Sequence, residues 1–204
     1  GWLHGIPQAI KDLSATRDLP TSMGSPLFKG QVPQQDGIMV RRMREAGAIF
    51  VGKTNTPEFG LGSQTYNRVF GATRNAFDPA LCAGGSSGGA AAALAMRMLP
   101  VADGSDMMGS LRNPAAYHNL FGMRPSFGRV PHGPGADIFG HQLVTEGPMA
   151  RSVGDLARLL ATQAGADPRA PLSLADDPER LADPFDDANA AAGLRIGWLG
   201  DWQG

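Results

Sequence analysis

The chain has 204 residues, 42% hydrophobic and 18% charged, enough to bury a core in one large domain or two small ones. Its 18 basic and 19 acidic residues leave a formal net charge of −1, which excludes the charge excess of a nucleic-acid or membrane-surface binder. A single cysteine, Cys82, excludes an internal disulfide and fits a reducing, cytoplasmic setting.

The opening "GWLHGIPQAIKDL" reads as a turn feeding a short strand that carries Lys11 and Asp12, and "PTSMGSPLF" as loop. From Asp36, "DGIMVRRMREAG" places Ile38, Met39, Met43 and Ala46 near helical spacing, with Asp36 as N-cap and Gly47 as stop. "AIFVGKTN" follows as a buried strand. Residues 54–83 are mostly loop. "GGAAAALAMRML" predicts a helix beginning just after Ser86 and Ser87. "PVADGSD" predicts a short buried strand running into a turn, and "GSLRNPAA" a further element with Pro114 near its first turn. "SVGDLARLLATQAG" is the clearest helix, capped by Ser152, with Asp155 three residues on, a stripe of Leu156, Leu159 and Leu160, and Gly165 closing it. Residues 166–192 read as a surface excursion and "LRIGWLG" as a final strand. Alternation of helix and strand gives an α/β fold class. No apolar run reaches the length of a membrane span, and the first residues do not resemble a signal peptide.

Glycine and proline together, 28 and 16 residues, make up about a fifth of the chain, above the usual ~12%. They punctuate rather than repeat, as expected where loops build a site. The densest stretch is "CAGGSSGG", residues 82–89. A phosphate loop needs a Lys directly after such a run, but no Lys or Arg follows Ser87 until Arg97. A linker would not run straight into a helix. A capping turn and a catalytic loop both remain.

A catalytic serine needs a base. The four histidines are His4, His118, His132 and His141. The last two lie in a Gly/Pro-rich loop where a solvated role is expected, and no orienting acid neighbours His118. Nor does any G-x-S-x-G elbow occur. Lysine is the other option, and only Lys11, Lys29 and Lys53 are present. Lys29 reads as a solvated loop residue. Lys11, in "AIKDL", has apolar neighbours on both sides, the setting that desolvates an ammonium and lowers its pKa by as much as ~3–5 units; a pair with Asp12 is the structural alternative. In "ADGSDMMGSLRNPAA", Ser110 follows a glycine at a turn. Such a turn presents backbone N–H groups to an oxyanion or simply caps a helix.

Three separated pieces, "GIPQAIKDL", "GGSSGG" and "GSDMMGSLRNPAA", resemble the lysine, glycine-serine and nucleophile segments of the amidase signature family. They come in order, with 75 residues from Lys11 to Ser86 and 24 from Ser86 to Ser110. "GAIFVGKTNTPEFGLGS" and "GPMARSVGDLA" also resemble family sequence, so the resemblance covers nearly the whole chain. It implies a mixed β-sheet core covered by helices, here a catalytic-core fragment. It implies Ser110 as nucleophile, Ser86 on a cis peptide bond as bridging serine, Lys11 as base, and the N–H groups of Met107, Met108, Gly109 and Ser110 as the oxyanion hole. It implies a small-molecule amide substrate, no metal or cofactor, no nucleic-acid or membrane partner, and room for a homodimer at an incomplete sheet edge.

Two positions depart from the family. Met108 stands where Gly is usual, so its side chain is expected to narrow the pocket or shift the oxyanion donors. Cys82 stands where Pro or a small polar residue is common and is expected to pack rather than react. "GSLRNPAA" reads more like members acting on linear or aryl amides than like tRNA-linked glutaminase subunits. The alternatives are such a glutaminase within an amidotransferase and a catalytically inactive fragment.

Overall fold

The computed structural model describes all residues except 134, 136–138, 140–141, 176, 183–191 and 199–204. Strand β1, Pro7–Lys11, runs parallel to β2, Ile49–Thr54, with Lys11 opposite Thr54. Helix α1, Ile38–Glu45, connects them. A two-residue hairpin, β3 Tyr66–Asn67 and β4 Gly71–Ala72, precedes helix α2, Gly88–Ala95. Strand β5, Val101–Asp106, helix α3, Arg112–Tyr117, and strand β6, Phe121–Gly122, follow. Strand β7, Thr145–Ala150, lies between β5 and β6 and is antiparallel to both. Helix α4, Val153–Gln163, packs on β7. The architecture is mixed α/β, with parallel and antiparallel pairing in separate small sheets.

Side-chain alternation along β1 and β5 explains how two cores meet at one site. Ile10 and Val101 belong to a cluster with Met39, Met43 and Leu159 of α1 and α4. Ala9 and Ala102 face a second cluster with Ala90, Ala91 and Leu94 of α2 and with Leu111 and Met149. The alanines of α2 let its first turn, carrying Ser86 and Ser87 just ahead of it, come close to β1 and β5. Lys11 lies at the end of β1, where these layers converge.

Three local readings change. Asp36 does not cap α1: Gly37 is the N-cap, and the Asp36 carboxylate is taken by the Arg44 guanidinium at 2.7 Å and the Arg17 N–H at 2.7 Å. A two-pronged charged donor outcompetes the cap role. β2 is not buried. Ile49 and Val51 are 55% and 61% exposed, because one face of this strand has no covering layer among the described residues. Leu194–Trp198, the described part of "LRIGWLG", forms no strand; Leu194, Ile196 and Trp198 are exposed. No described strand lies alongside to satisfy its backbone.

The Ser152 cap is as expected. Its hydroxyl accepts the Asp155 N–H at 3.1 Å, and Gly165 beyond the helix end has φ +105°. No helix among the described residues is long and apolar enough to cross a membrane.

Candidate active site

Lys11 is fully buried, and its Nζ lies among hydroxyls: 2.7 Å from Ser86 Oγ, 2.8 Å from Ser87 Oγ and 3.0 Å from Ser105 Oγ. No carboxylate lies within salt-bridge distance of Nζ among the described residues, so the expected alternative, a pair with Asp12, does not form. Asp12 instead accepts the Ser22 N–H and hydroxyl and the Gly24 N–H, folding the loop after β1 back on itself. Burial pulls the Lys11 pKa down from 10.5 to about 7, against the opposing charges of Asp103, Asp106 and Glu146. At neutral pH a substantial share of Lys11 is therefore the free amine.

The peptide bond between Gly85 and Ser86 is cis. Gly85 lies against the backbone of the preceding loop: a Cβ there would meet Gln64 N at 2.8 Å and Ser63 C at 2.9 Å. The glycine is required by this close approach of two chain segments. Thr65 secures the same contact, its hydroxyl donating to Gly84 O at 2.8 Å and accepting the Gly88 N–H at 3.1 Å.

Ser110 is half-buried on the wall of a cleft of about 290 Å³ lined also by Leu61, Ser63, Gly85, Met107 and Met108. The Ser87 N–H donates to Ser110 O at 3.2 Å, which joins the two serine loops directly. Ser110 Oγ makes no hydrogen bond to Ser86 Oγ in this structure, and Ser110 lines the cleft.

The loop from β5 to α3 is shaped by a residue that sequence reasoning missed. The buried Asp106 carboxylate accepts N–H groups from Gly109 at 2.8 Å and Leu111 at 3.1 Å, and the Arg112 side chain at 3.0 Å from both oxygens. Arg124 lies 3.5 Å away. Burial raises the Asp106 pKa, but these donors, Arg112 foremost, outweigh it and bring it down to about 2. Its signal in sequence is an acidic residue at a strand end three residues before a Gly-Ser turn and six before an Arg.

One correction follows. The Gly109 N–H is committed to Asp106, which leaves Met107, Met108 and Ser110 as the loop's candidate oxyanion donors. Gly109 itself has φ +120°, and a Cβ there would strike the Asn113 side chain at 2.7 Å. Met108 is 87% exposed and stands at the cleft rim rather than plugging it.

The histidines lie apart from this chemistry. Buried His118 accepts the Ala76 N–H at Nε2 and contacts Pro114 O through Nδ1 at 2.9 Å, a strut between α3 and the loop before α2. His132 is not simply solvated, because its Nδ1 lies 3.7 Å from Glu146, which raises its pKa. His4 and Lys29 are exposed, and His141 falls outside the described residues. Cys82 is a half-buried free thiol opposite Arg74 in a β-bridge.

A buried lysine set among serine hydroxyls, in an α/β fold whose glycine-serine loop and Ser110 turn meet at one cleft, points to the class that its relatives define. The chain belongs to the amidase family, whose model matches residues 1–202. It is 42% identical to the A-type subunit of glutamyl-tRNA(Gln) amidotransferase from Acidothermus cellulolyticus, over 100% of this chain and 40% of that protein. Among solved structures it resembles a bacterial aryl acylamidase of the amidase signature family (TM-score 0.82, 38% identity, 86% of this chain and 37% of that one). It also resembles the corresponding A-type amidotransferase subunit from Thermotoga maritima (TM-score 0.80, 37% identity, 85% and 38%). The chain thus spans about 40% of the length of the curated relatives it matches. Free-standing amidases and amidotransferase subunits stand at similar structural distance from it, so the preference for the former read from "GSLRNPAA" finds no separate support here.

Proposed function

We propose that this chain carries the catalytic core of an amidohydrolase that cleaves a carboxylic acid amide through an acyl-enzyme on Ser110. The observation that carries this reading is the buried, pKa-lowered Lys11 amine 2.7 Å from Ser86 Oγ, with Ser86 following the cis peptide. Ser110 Oγ turns from the cleft to Ser86, passes it a proton and bonds to the amide carbon, while Ser86 passes its own proton to the Lys11 lone pair. The carbonyl oxygen becomes an oxyanion on the free N–H groups of the Met107–Ser110 turn, each worth about 3 kcal/mol of barrier. The C–N bond breaks, and the proton returns from Lys11 through Ser86 to the departing amine. Water attacks the ester by the same relay, releasing acid and regenerating Ser110.

The test is covalent labelling of the intact protein with a fluorophosphonate, followed by peptide mapping. The expected adduct is on Ser110 and is lost in Lys11→Ala. An intact, folded protein that takes no label at Ser110 is the inactive alternative.

A second reading is favoured by one observation. Relatives named as A-type subunits of the amidotransferase match across the full chain. On that reading the same relay acts on glutamine and hands ammonia to partner subunits. Glutaminase activity that rises with the partner subunits and tRNA selects it; hydrolysis of aryl or linear amides by the isolated protein selects the first. A small-molecule substrate, a cytoplasmic setting compatible with the free thiol of Cys82, and a homodimer at an incomplete sheet edge belong to the first reading.

A further inference from the structure

Several buried charged groups of the same layer take no part in the proton relay. Asp103, on β5, is fully buried, and both its carboxylate oxygens lie 3.2 Å from the Lys11 backbone N, whose N–H they accept. It serves β1 as a ladder partner would, across 92 residues of sequence. Lys53, on β2, gives its three N–H groups to Ser14 O at 2.6 Å, Thr16 Oγ1 at 2.7 Å and Thr21 Oγ1 at 3.0 Å. Thr16 Oγ1 donates in turn to Ser14 O, so it presents lone pairs to Lys53. Three acceptors around one nitrogen fit an ammonium. Lys11 meets three hydroxyls, which can donate to an amine lone pair as well as accept from it, and lies 3.4 Å from Ser105 O, to which the Ser87 hydroxyl also donates. Fully buried Lys11 and half-buried Lys53 thus share one polar layer beside Asp103.

We propose that Asp103 is a positioning residue for the Ser110 reaction: it fixes the Lys11 backbone against β5 and supplies a buried negative charge shared by Lys11 and Lys53. The assignment rests on the Ser110 reading above. Asp103 is the foremost opposing charge for both lysines. Lys53 in turn acts on Asp103, whose own pKa burial raises to about 6. The other charged groups facing this layer are Asp12 beyond β1, Asp36 beyond Lys53, Asp106 with Arg112 and Arg124, and Glu146 of β7 with His132.

Removing the Asp103 charge makes Lys11 hold its proton less tightly. The intact protein is labelled with the fluorophosphonate from pH 5 to 9 and the rate constant at Ser110 is plotted against pH. Asp103→Asn keeps an acceptor for the Lys11 N–H. Its acid limb is expected to move to lower pH by roughly half a unit or more, with a lower plateau. Asp103→Glu keeps the charge on a longer arm and is expected to lower the plateau while leaving the limb in place. A lowered plateau in Asp103→Asn with the parent's acid limb overturns the assignment and makes Asp103 a structural tether only. Should Asp103→Asn fail to fold, a shifted limb in Asp103→Glu, where the charge is unchanged, overturns it equally. If the parent takes no label at Ser110 at any pH, the Ser110 reading itself has failed and this assignment falls with it.

Discussion

Lys11 Nζ and Ser86 Oγ lie 2.7 Å apart in the interior, though 75 residues separate them in sequence. Positioned proton transfer of this kind contributes typically ~10²–10⁴-fold. Lys11→Ala and Ser86→Ala are each expected to cut Ser110 acylation by about that factor, and the double variant by little more, since on the proposed mechanism the two act as one relay. Stopped-flow labelling of the three variants measures it. Additive losses would mean that the residues act separately.

On the proposed mechanism, the lowered Lys11 pKa sets the acid limb of Ser110 acylation. With a value about 7 in the folded protein, acylation is expected to fall tenfold per pH unit well below 7 and to level off above it. A limb near the His132 or carboxylate range that persists in Lys11→Met would remove lysine from the role of base.

The same shift makes stability pH-dependent, with a definite sign. Between pH 7 and 10.5 the unfolded chain carries the Lys11 proton and the folded chain largely does not. Stability therefore rises with pH across that window, by up to ~1.4 kcal/mol per unit. Lys53, lowered to about 8, adds a similar rise from pH 8 upward. Denaturant unfolding at pH 7, 8 and 9 should show a shallower rise in Lys11→Met than in the parent.

Asp106→Asn loses the charge that holds Arg112 and weakens acceptance of the Gly109 and Leu111 N–H groups. Leaving such buried donors poorly paired costs about 1–3 kcal/mol. Labelling should fall together with the denaturation midpoint, because the turn bearing Ser110 loses its anchor. Undiminished labelling would show that the turn holds its shape without the carboxylate.

Ser152→Ala is the contrasting case. It removes the N-cap of α4 far from the cleft and is expected to cost ~1 kcal/mol of stability with labelling of Ser110 unchanged.

Sequence revealed the parts of the site whose residue types are rare in their setting. A lysine inside an apolar strand, paired serines between glycines, and a Gly-Ser turn before a helix each carry a local signal. Asp106 and Asp103 carry less, since an acidic residue in a strand reads as an alternating surface position until the neighbouring layers are known. Ser87 and Ser105 became visible as Lys11 partners only once β1, α2 and β5 were placed together. The exposure of β2 was hidden for the same reason: its apolar run is compatible with a covered or an open face, and neighbours decide which. The Asp36 misreading came from weighing a local cap against a guanidinium eight residues away that no turn rule considers.

The tie between Lys11 and Asp103 also bears on when the site comes into being. β1 is made early and β5 about ninety residues later, and closing so large a loop is entropically costly until the intervening elements are in place. A chain emerging from the ribosome therefore holds Lys11 as an ordinary hydrated, protonated lysine. Burial lowers its pKa only when β5 docks and seals it from water, so on the proposed mechanism reactivity would appear with completion of the layer rather than grow gradually during synthesis.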